Sequence, residues 1–154
     1  MKQKQRLAIV ITHAGARQGV IDAPWLEIGF RVDASDWVVL SNEGWRGLVE
    51  GDPIIWDALA RKLLIGFYVT QPELIAVIGH PGGRKGDHVE ADGKDEVGRV
   101  VRRVRSLLLP ATVTGFWTDE EGRLEDFVEL EDACEDSARR DFHEEYETAG
   151  GRLT

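Results

Sequence analysis

Three short apolar runs organise the N-terminal half of the chain. They cover residues 7–12, 37–42 and 74–79, are rich in β-branched side chains, and are each followed by a polar or glycine-bearing segment. Short runs of this kind, without regular polar alternation, are typical of strands that are buried on both faces of a parallel sheet. The pattern therefore predicts three strands of a mostly parallel sheet.

Two further segments have the spacing of helices. Residues 53–69 follow Asp52, a suitable N-cap, and begin with Pro53, which fits the first helical position. Residues 95–109 end before Pro110, and one face of this predicted helix contains Val97, Val100, Val101, Val104 and Leu108. A polar loop over residues 81–93 is predicted to join the third strand to this second helix.

The C-terminal third of the chain predicts a hairpin and an extension. Residues 112–118 and 124–130 flank the turn sequence Asp-Glu-Glu-Gly at 119–122. The order of elements predicts one α/β domain over residues 1–130, with helices flanking a sheet of 2-1-3 type order and an antiparallel hairpin at its edge. Residues 131–154 are predicted to form an acidic extension, first helical and then disordered.

Charge and composition narrow the function classes. The chain has 154 residues and a net charge of −9, and residues 118–147 hold 14 acidic and only 3 basic side chains. Without a basic face, nucleic-acid binding is not expected. No apolar run reaches the ~20 residues that span a bilayer, so no membrane partner is expected. The N-terminal apolar run is also too short for a signal peptide, which predicts a cytoplasmic location.

Histidines follow two of the predicted strands. His13 comes directly after the first apolar run and His80 comes directly after the third. Since ligands of parallel sheets bind beyond the C-terminal ends of the strands, both imidazoles are expected in one crevice. Arg17 could clamp an anion there, and Trp45 is expected to lie beside the crevice. The loop residues Gly82, Gly83 and Arg84 are further candidates for ligand binding.

Four segments together resemble the β-carbonic anhydrase family. IVITHAGARQG at 9–19 resembles the family's strand followed by C-x-D-x-R, and IAVIGHPGG at 75–83 resembles its strand followed by G-H-x-x-C. SDWVVLSNEG at 35–44 and ATVTGFWTDEEGRLEDFV at 111–128 are similar to the family's second strand and closing hairpin. The resemblance covers roughly residues 7–130 in matching order, and it implies a β-carbonic-anhydrase-like fold.

The same resemblance implies a degenerate metal centre. The family holds zinc with two thiolates and one imidazole, but its cysteine positions are His13 and Gly83 here, and its aspartate is Gly15. His80 and Arg17 keep the family's residues. The single cysteine, Cys134, lies outside both motifs. A zinc site would therefore have to be rebuilt from His13 and His80, because catalytic zinc needs three protein ligands. The candidate third ligands are Asp87, His88, Glu43 or a residue from another subunit.

Three functional hypotheses follow. The favoured one is a carbonic-anhydrase-like protein that is not a conventional CO2 hydratase but a non-catalytic or ligand-binding relative. The first alternative is a zinc-dependent lyase or hydrolase that uses the rebuilt site, with Arg17 orienting an anion such as bicarbonate. The second is an anion-binding regulatory module without zinc. Because the family forms dimers and exposed sheet edges favour partners, a homo-oligomer is also expected.

Overall fold

The computed structural model describes residues 6–13, 32–81 and 89–129. Five strands form one sheet in the order β2-β1-β3-β4-β5. The strands are β1 (Arg6–His13), β2 (Val32–Leu40), β3 (Leu74–Gly79), β4 (Thr112–Thr118) and β5 (Leu124–Val128). β1 pairs in parallel with both β2 and β3, β4 is parallel to β3, and β5 is antiparallel to β4. The α/β class, with a mostly parallel sheet and an antiparallel edge, is confirmed.

The short helix α1 (Asn42–Glu50) lies in the glycine-bearing segment after the second apolar run, where no element was predicted. The Ser41 side chain caps its N-terminus by accepting a hydrogen bond from the Gly44 N–H at 3.0 Å. Gly51 ends the helix with a φ of 87°, a left-handed conformation that suits glycine. Buried Trp45, Leu48 and Val49 fix α1 against the core.

The first predicted helix is confirmed as α2 (Pro53–Thr70). Asp52 is its N-cap, as expected, and its carboxylate accepts a hydrogen bond from the Ile54 N–H at 2.9 Å. Leu59 and Leu63 are the buried residues of this helix. Although α2 is apolar overall, none of the described helices is both long and apolar enough to cross a membrane.

The second predicted helix begins earlier and ends earlier than expected. It forms α3 (Val89–Arg105), so the predicted loop over residues 81–93 is too long and Gly93 is helical. Glycine lowers helix propensity but does not prevent a helix when packing favours one. Leu108 was wrongly assigned to the buried face, because the helix has already ended and the Leu108 side chain is 87% exposed.

The sheet separates two clusters of buried apolar residues. All three helices contribute to the first cluster, for example through Leu48, Leu63 and Val97, which pack with Ile9 and Ile11 of β1. The second cluster consists of strand residues, namely Ala8, Val10, Ala76, Ile78, Phe116 and Leu124. β1 is therefore buried on both faces, as its uninterrupted apolar sequence predicts. The predicted extension over residues 131–154 lies outside the described residues.

Candidate functional site

Two histidines meet at the C-terminal edge of the sheet. His13 is the last residue of β1, and His80 directly follows β3, which pairs with β1 in parallel. Their side chains are almost entirely buried, with 6% and 3% exposed. The two rings stack with centroids 3.9 Å apart and planes inclined by 15°. The sequence-based expectation that both imidazoles share one location therefore matches their geometry.

A hydrogen bond fixes one ring nitrogen of this pair. The Nε2 atom of His80 lies 3.2 Å from the backbone carbonyl oxygen of His13. A carbonyl oxygen only accepts, so Nε2 carries the hydrogen and donates it. In this arrangement Nε2 has no lone pair to offer a metal ion, because the lone pair of a ring nitrogen is used when that nitrogen is protonated.

Trp45 places an indole ring against His13. It is 5% exposed, and its ring centroid lies 4.8 Å from the His13 centroid with a plane angle of 33°. The indole Nε1–H donates to Oε2 of Glu96 on α3 at 3.1 Å. Buried indole groups usually need such a partner for their N–H. The prediction that Trp45 lies beside the strand ends thus agrees with its position, but Glu96 was missed.

Two glycines allow α3 to approach this edge of the sheet closely. A Cβ atom on Gly79 would lie 2.3 Å from Cγ2 of Val97, and one on Gly93 would lie 2.2 Å from the Trp117 ring. Both distances are far below van der Waals contact. Trp117, on β4, is only 2% exposed. A side chain at either glycine would therefore push α3 away from the strands that carry the histidines.

Threonine hydroxyls bond to backbone carbonyl groups around the histidines. Thr12 Oγ1 donates to the Ile78 carbonyl at 2.9 Å, and Thr118 Oγ1 donates to the Gly79 carbonyl at 3.2 Å. Both threonines are buried. These bonds join β1 and β4 to β3 at the residues just before His80. The sequence signal for these hydrogen bonds is a threonine at or near the end of an apolar strand.

Most of the other predicted site residues cannot be placed. Arg17, Gly82, Gly83, Arg84, Asp87 and His88 lie outside the described residues. Glu43 is described, in the first turn of α1, where it is exposed. Within residues 6–13, 32–81 and 89–129, no three His, Cys, Asp or Glu side chains form a group suited to a metal ion. Glu43 therefore does not complete a site with His13 and His80.

The histidine pair itself does not have the geometry of shared zinc ligands. Two imidazoles on one tetrahedral zinc point their nitrogen lone pairs at the same ion, which places the ring centres about 5 Å apart. The stacked rings have centroids 3.9 Å apart, and their lone pairs lie in two nearly parallel planes that do not converge on one ion between the rings. The hydrogen bond from His80 Nε2 leaves Nδ1 as the ring nitrogen of His80 that keeps a lone pair. As arranged, the two rings pack against each other, and His13 also packs against Trp45.

The known proteins offer no further guide to this site. Comparisons with protein-family models, with curated proteins and with solved structures found no match for the chain.

Proposed function

We propose that this chain is a β-carbonic-anhydrase-like protein with a degenerate metal centre, and that it is a non-catalytic or ligand-binding relative rather than a conventional CO2 hydratase. One observation carries the proposal: the buried His13 and His80 rings are stacked, and His80 Nε2 is bonded to the His13 carbonyl. The likeness to the family rests on the four segments of matching order at 9–19, 35–44, 75–83 and 111–128.

The chemistry of the residues supports the loss of the family's reaction. A zinc centre of the family's type uses two thiolates, but Cys134 is the only cysteine, and it lies outside both motifs. Zinc hydration of CO2 needs a metal-bound water whose pKa falls to about 7. In our proposal the strand-end position is instead filled by aromatic packing among His13, His80 and Trp45.

The experiment combines metal analysis with an activity assay on the full chain without a tag. Zinc content is measured before and after reconstitution with zinc, and CO2 hydration is measured on the same samples. Wild type is compared with His13→Ala and His80→Ala, and His143→Ala serves as a control that removes a histidine outside both motifs. We expect less than one bound zinc per chain and no hydration above the buffer rate, with no difference between the two site variants and the control.

The zinc-dependent alternative makes the opposite prediction. It requires the two stacked rings to turn so that one nitrogen lone pair of each points at the same ion. Stoichiometric zinc that is lost in both His13→Ala and His80→Ala but retained in His143→Ala, together with measurable turnover, would overturn our proposal and establish the rebuilt lyase site.

A binding measurement tests the ligand-binding form of the proposal. A ligand that binds only the native state raises the unfolding temperature as its concentration increases. We expect bicarbonate, in the presence of EDTA, to raise the unfolding temperature of wild type but not of Arg17→Ala. Equal shifts in both proteins would remove Arg17 from the ligand contact and indicate a general salt effect. If neither protein shows a shift, bicarbonate is excluded as the ligand, and only the non-catalytic part of the proposal is retained for this anion.

A further inference from the structure

The outer face of α2 exposes large apolar side chains. The exposed fractions are 79% for Ile54, 48% for Leu64, 66% for Ile65, 87% for Tyr68 and 76% for Val69. The opposite face of the same helix is buried through Leu59 and Leu63. The helix is thus apolar on both sides, although only one side packs on the sheet. A helix that is hydrophobic all round is normally buried all round.

The exposed area is large for an unpartnered surface. Five such side chains lie on one face of one helix, whereas the exposed apolar residues of a monomer are normally scattered singly. A stable protein–protein interface buries about 800 Å² on each partner. The outer face of α2 can therefore supply the apolar centre of a specific interface, with residues beside the helix completing its area.

Charged and small residues lie along the same face. Ile54, Ala58, Arg61, Ile65 and Tyr68 are separated by three or four positions, so they form one stripe along the helix, and Asp57 flanks it. Ala58 provides room for the close approach of another helix. The acidic Asp57 lies one turn before the basic Arg61, so the stripe carries opposite charges at two neighbouring turns.

We propose that a second copy of this chain covers this face, with the two α2 helices packed antiparallel across a two-fold axis beside Ala58. This register brings Asp57 against Arg61 of the partner subunit and Ile54 against Ile65 of the partner subunit, and the two-fold symmetry repeats both contacts. A parallel pairing would place Arg61 against Arg61 of the partner subunit. Charge complementarity therefore selects the antiparallel arrangement.

The first test measures oligomeric state by sedimentation equilibrium over a concentration series. Wild type is expected to form a dimer. Ile65→Glu places a charge in the centre of the apolar face, and the dissociation constant is expected to rise about 100-fold or more. Leu108→Glu is the matched control, because Leu108 is 87% exposed but lies beyond α3 and outside this face. Its dissociation constant should stay within about twofold of wild type. Urea unfolding of each variant establishes that the monomers are folded.

The second test uses the charges and identifies the register. Asp57→Arg and Arg61→Asp should each weaken the homodimer, because each variant brings like charges together across the axis. When the two variants are mixed, every facing pair becomes opposite in charge, and a heterodimer should form more tightly than either homodimer. Native mass spectrometry of the mixture, with one variant isotopically labelled, separates the heterodimer from both homodimers and measures this directly.

Three results would overturn the proposal. One is a wild type that stays monomeric over the whole series, whether or not the face then binds phosphatidylcholine or phosphatidylglycerol vesicles. Another is an Ile65→Glu variant that dimerises as wild type does. The third is a mixture of Asp57→Arg and Arg61→Asp that gives no heterodimer, which would exclude this antiparallel pairing. None of these results depends on the metal content of the histidine pair.

Discussion

The strand-end cluster and the outer face of α2 depart from ordinary burial in opposite directions. At the strand ends, the polar rings of His13 and His80 are almost fully buried, whereas on α2 the side chains of Ile65 and Tyr68 are mostly exposed. Buried polar groups and exposed apolar patches are the two informative departures from the usual pattern. The buried histidine rings contact other side chains and a backbone carbonyl of the chain. The exposed apolar side chains of α2 are not covered by the described part of the chain.

This difference indicates that one region affects the free energy of unfolding and the other affects the free energy of association. The histidines contact each other and Trp45, so changes there should alter the free energy of unfolding. The α2 side chains mainly contact solvent, so changes there should alter association and leave unfolding of the monomer nearly unchanged. Variants in the two regions test this contrast.

The largest effect is expected from Gly79→Ala. The new Cβ would lie 2.3 Å from Val97 Cγ2 and 3.2 Å from the Trp117 ring, so α3 or β3 must shift. Overpacking of this kind costs about 1–3 kcal/mol, and we expect about 2–3 kcal/mol because both neighbours are buried. Urea unfolding measures the loss. Gly98→Ala is the control on α3: its Cβ would meet only side-chain atoms of Arg102 and Glu129 at ordinary distances, and it should gain about 0.5–1 kcal/mol. Equal stability of wild type and Gly79→Ala would show that the strand-end packing is looser than described.

A smaller effect is expected from Trp45→Phe. The variant keeps an aromatic ring near His13 but removes the N–H that donates to Glu96 at 3.1 Å. Leaving a partly buried carboxylate without this donor should cost about 2 kcal/mol of unfolding free energy. Tyr68→Phe removes a polar group from the other region, where the ring is 87% exposed, and should change stability by less than about 0.5 kcal/mol. Similar losses in the two variants would contradict the contrast between the regions.

Local sequence patterns were enough to find most elements of the sheet. β1 and β3 are each formed by an uninterrupted apolar run. The start of α2 is marked by Asp52-Pro53, a pair that combines an N-cap with a favoured first residue. These signals depend on neighbours in sequence, so they survive without knowledge of the fold. α1 was missed because Gly44 indicated only the end of the second apolar run, although the cap at Ser41 and the helical spacing of Trp45, Leu48 and Val49 are local signals of a helix.

The site could be predicted in part for the same reason. Parallel strands bring their C-terminal ends to one edge, so the proximity of His13 and His80 follows from topology. The stacking of the rings depends on the conformations of the two side chains, which the topology does not give. The Trp45–Glu96 hydrogen bond and the fit of Trp117 against Gly93 depend on the distance between α3 and its neighbours. That distance is set by side chains far apart in sequence, and no local pattern encodes it.

The smallest effect is expected at the turn that follows β4, where the Asp119 carboxylate accepts hydrogen bonds from Glu121 and Arg123. Burial raises the pKa of the Asp119 carboxyl, but hydrogen bonds from the backbone and side chain of Arg123 and from the Glu121 N–H outweigh it and hold the pKa below 3.8. A carboxylate with a lowered folded-state pKa stabilises the protein above the unfolded pKa, and this contribution is lost as the pH falls through the folded value.

Asp119→Asn should therefore cost about 1 kcal/mol at neutral pH, and the difference from wild type should shrink as the pH falls below about 4. Urea unfolding at a series of pH values measures this. Glu121→Gln removes a carboxylate that is 72% exposed from the same turn, and it should change stability by less than about 0.5 kcal/mol at every pH. The Asp119 carboxylate accepts all its hydrogen bonds named above from residues of its own chain. Its replacement should therefore leave the dimer dissociation constant unchanged. A change in that constant would instead extend the association surface from α2 to this turn, and the separation between the two regions would fail.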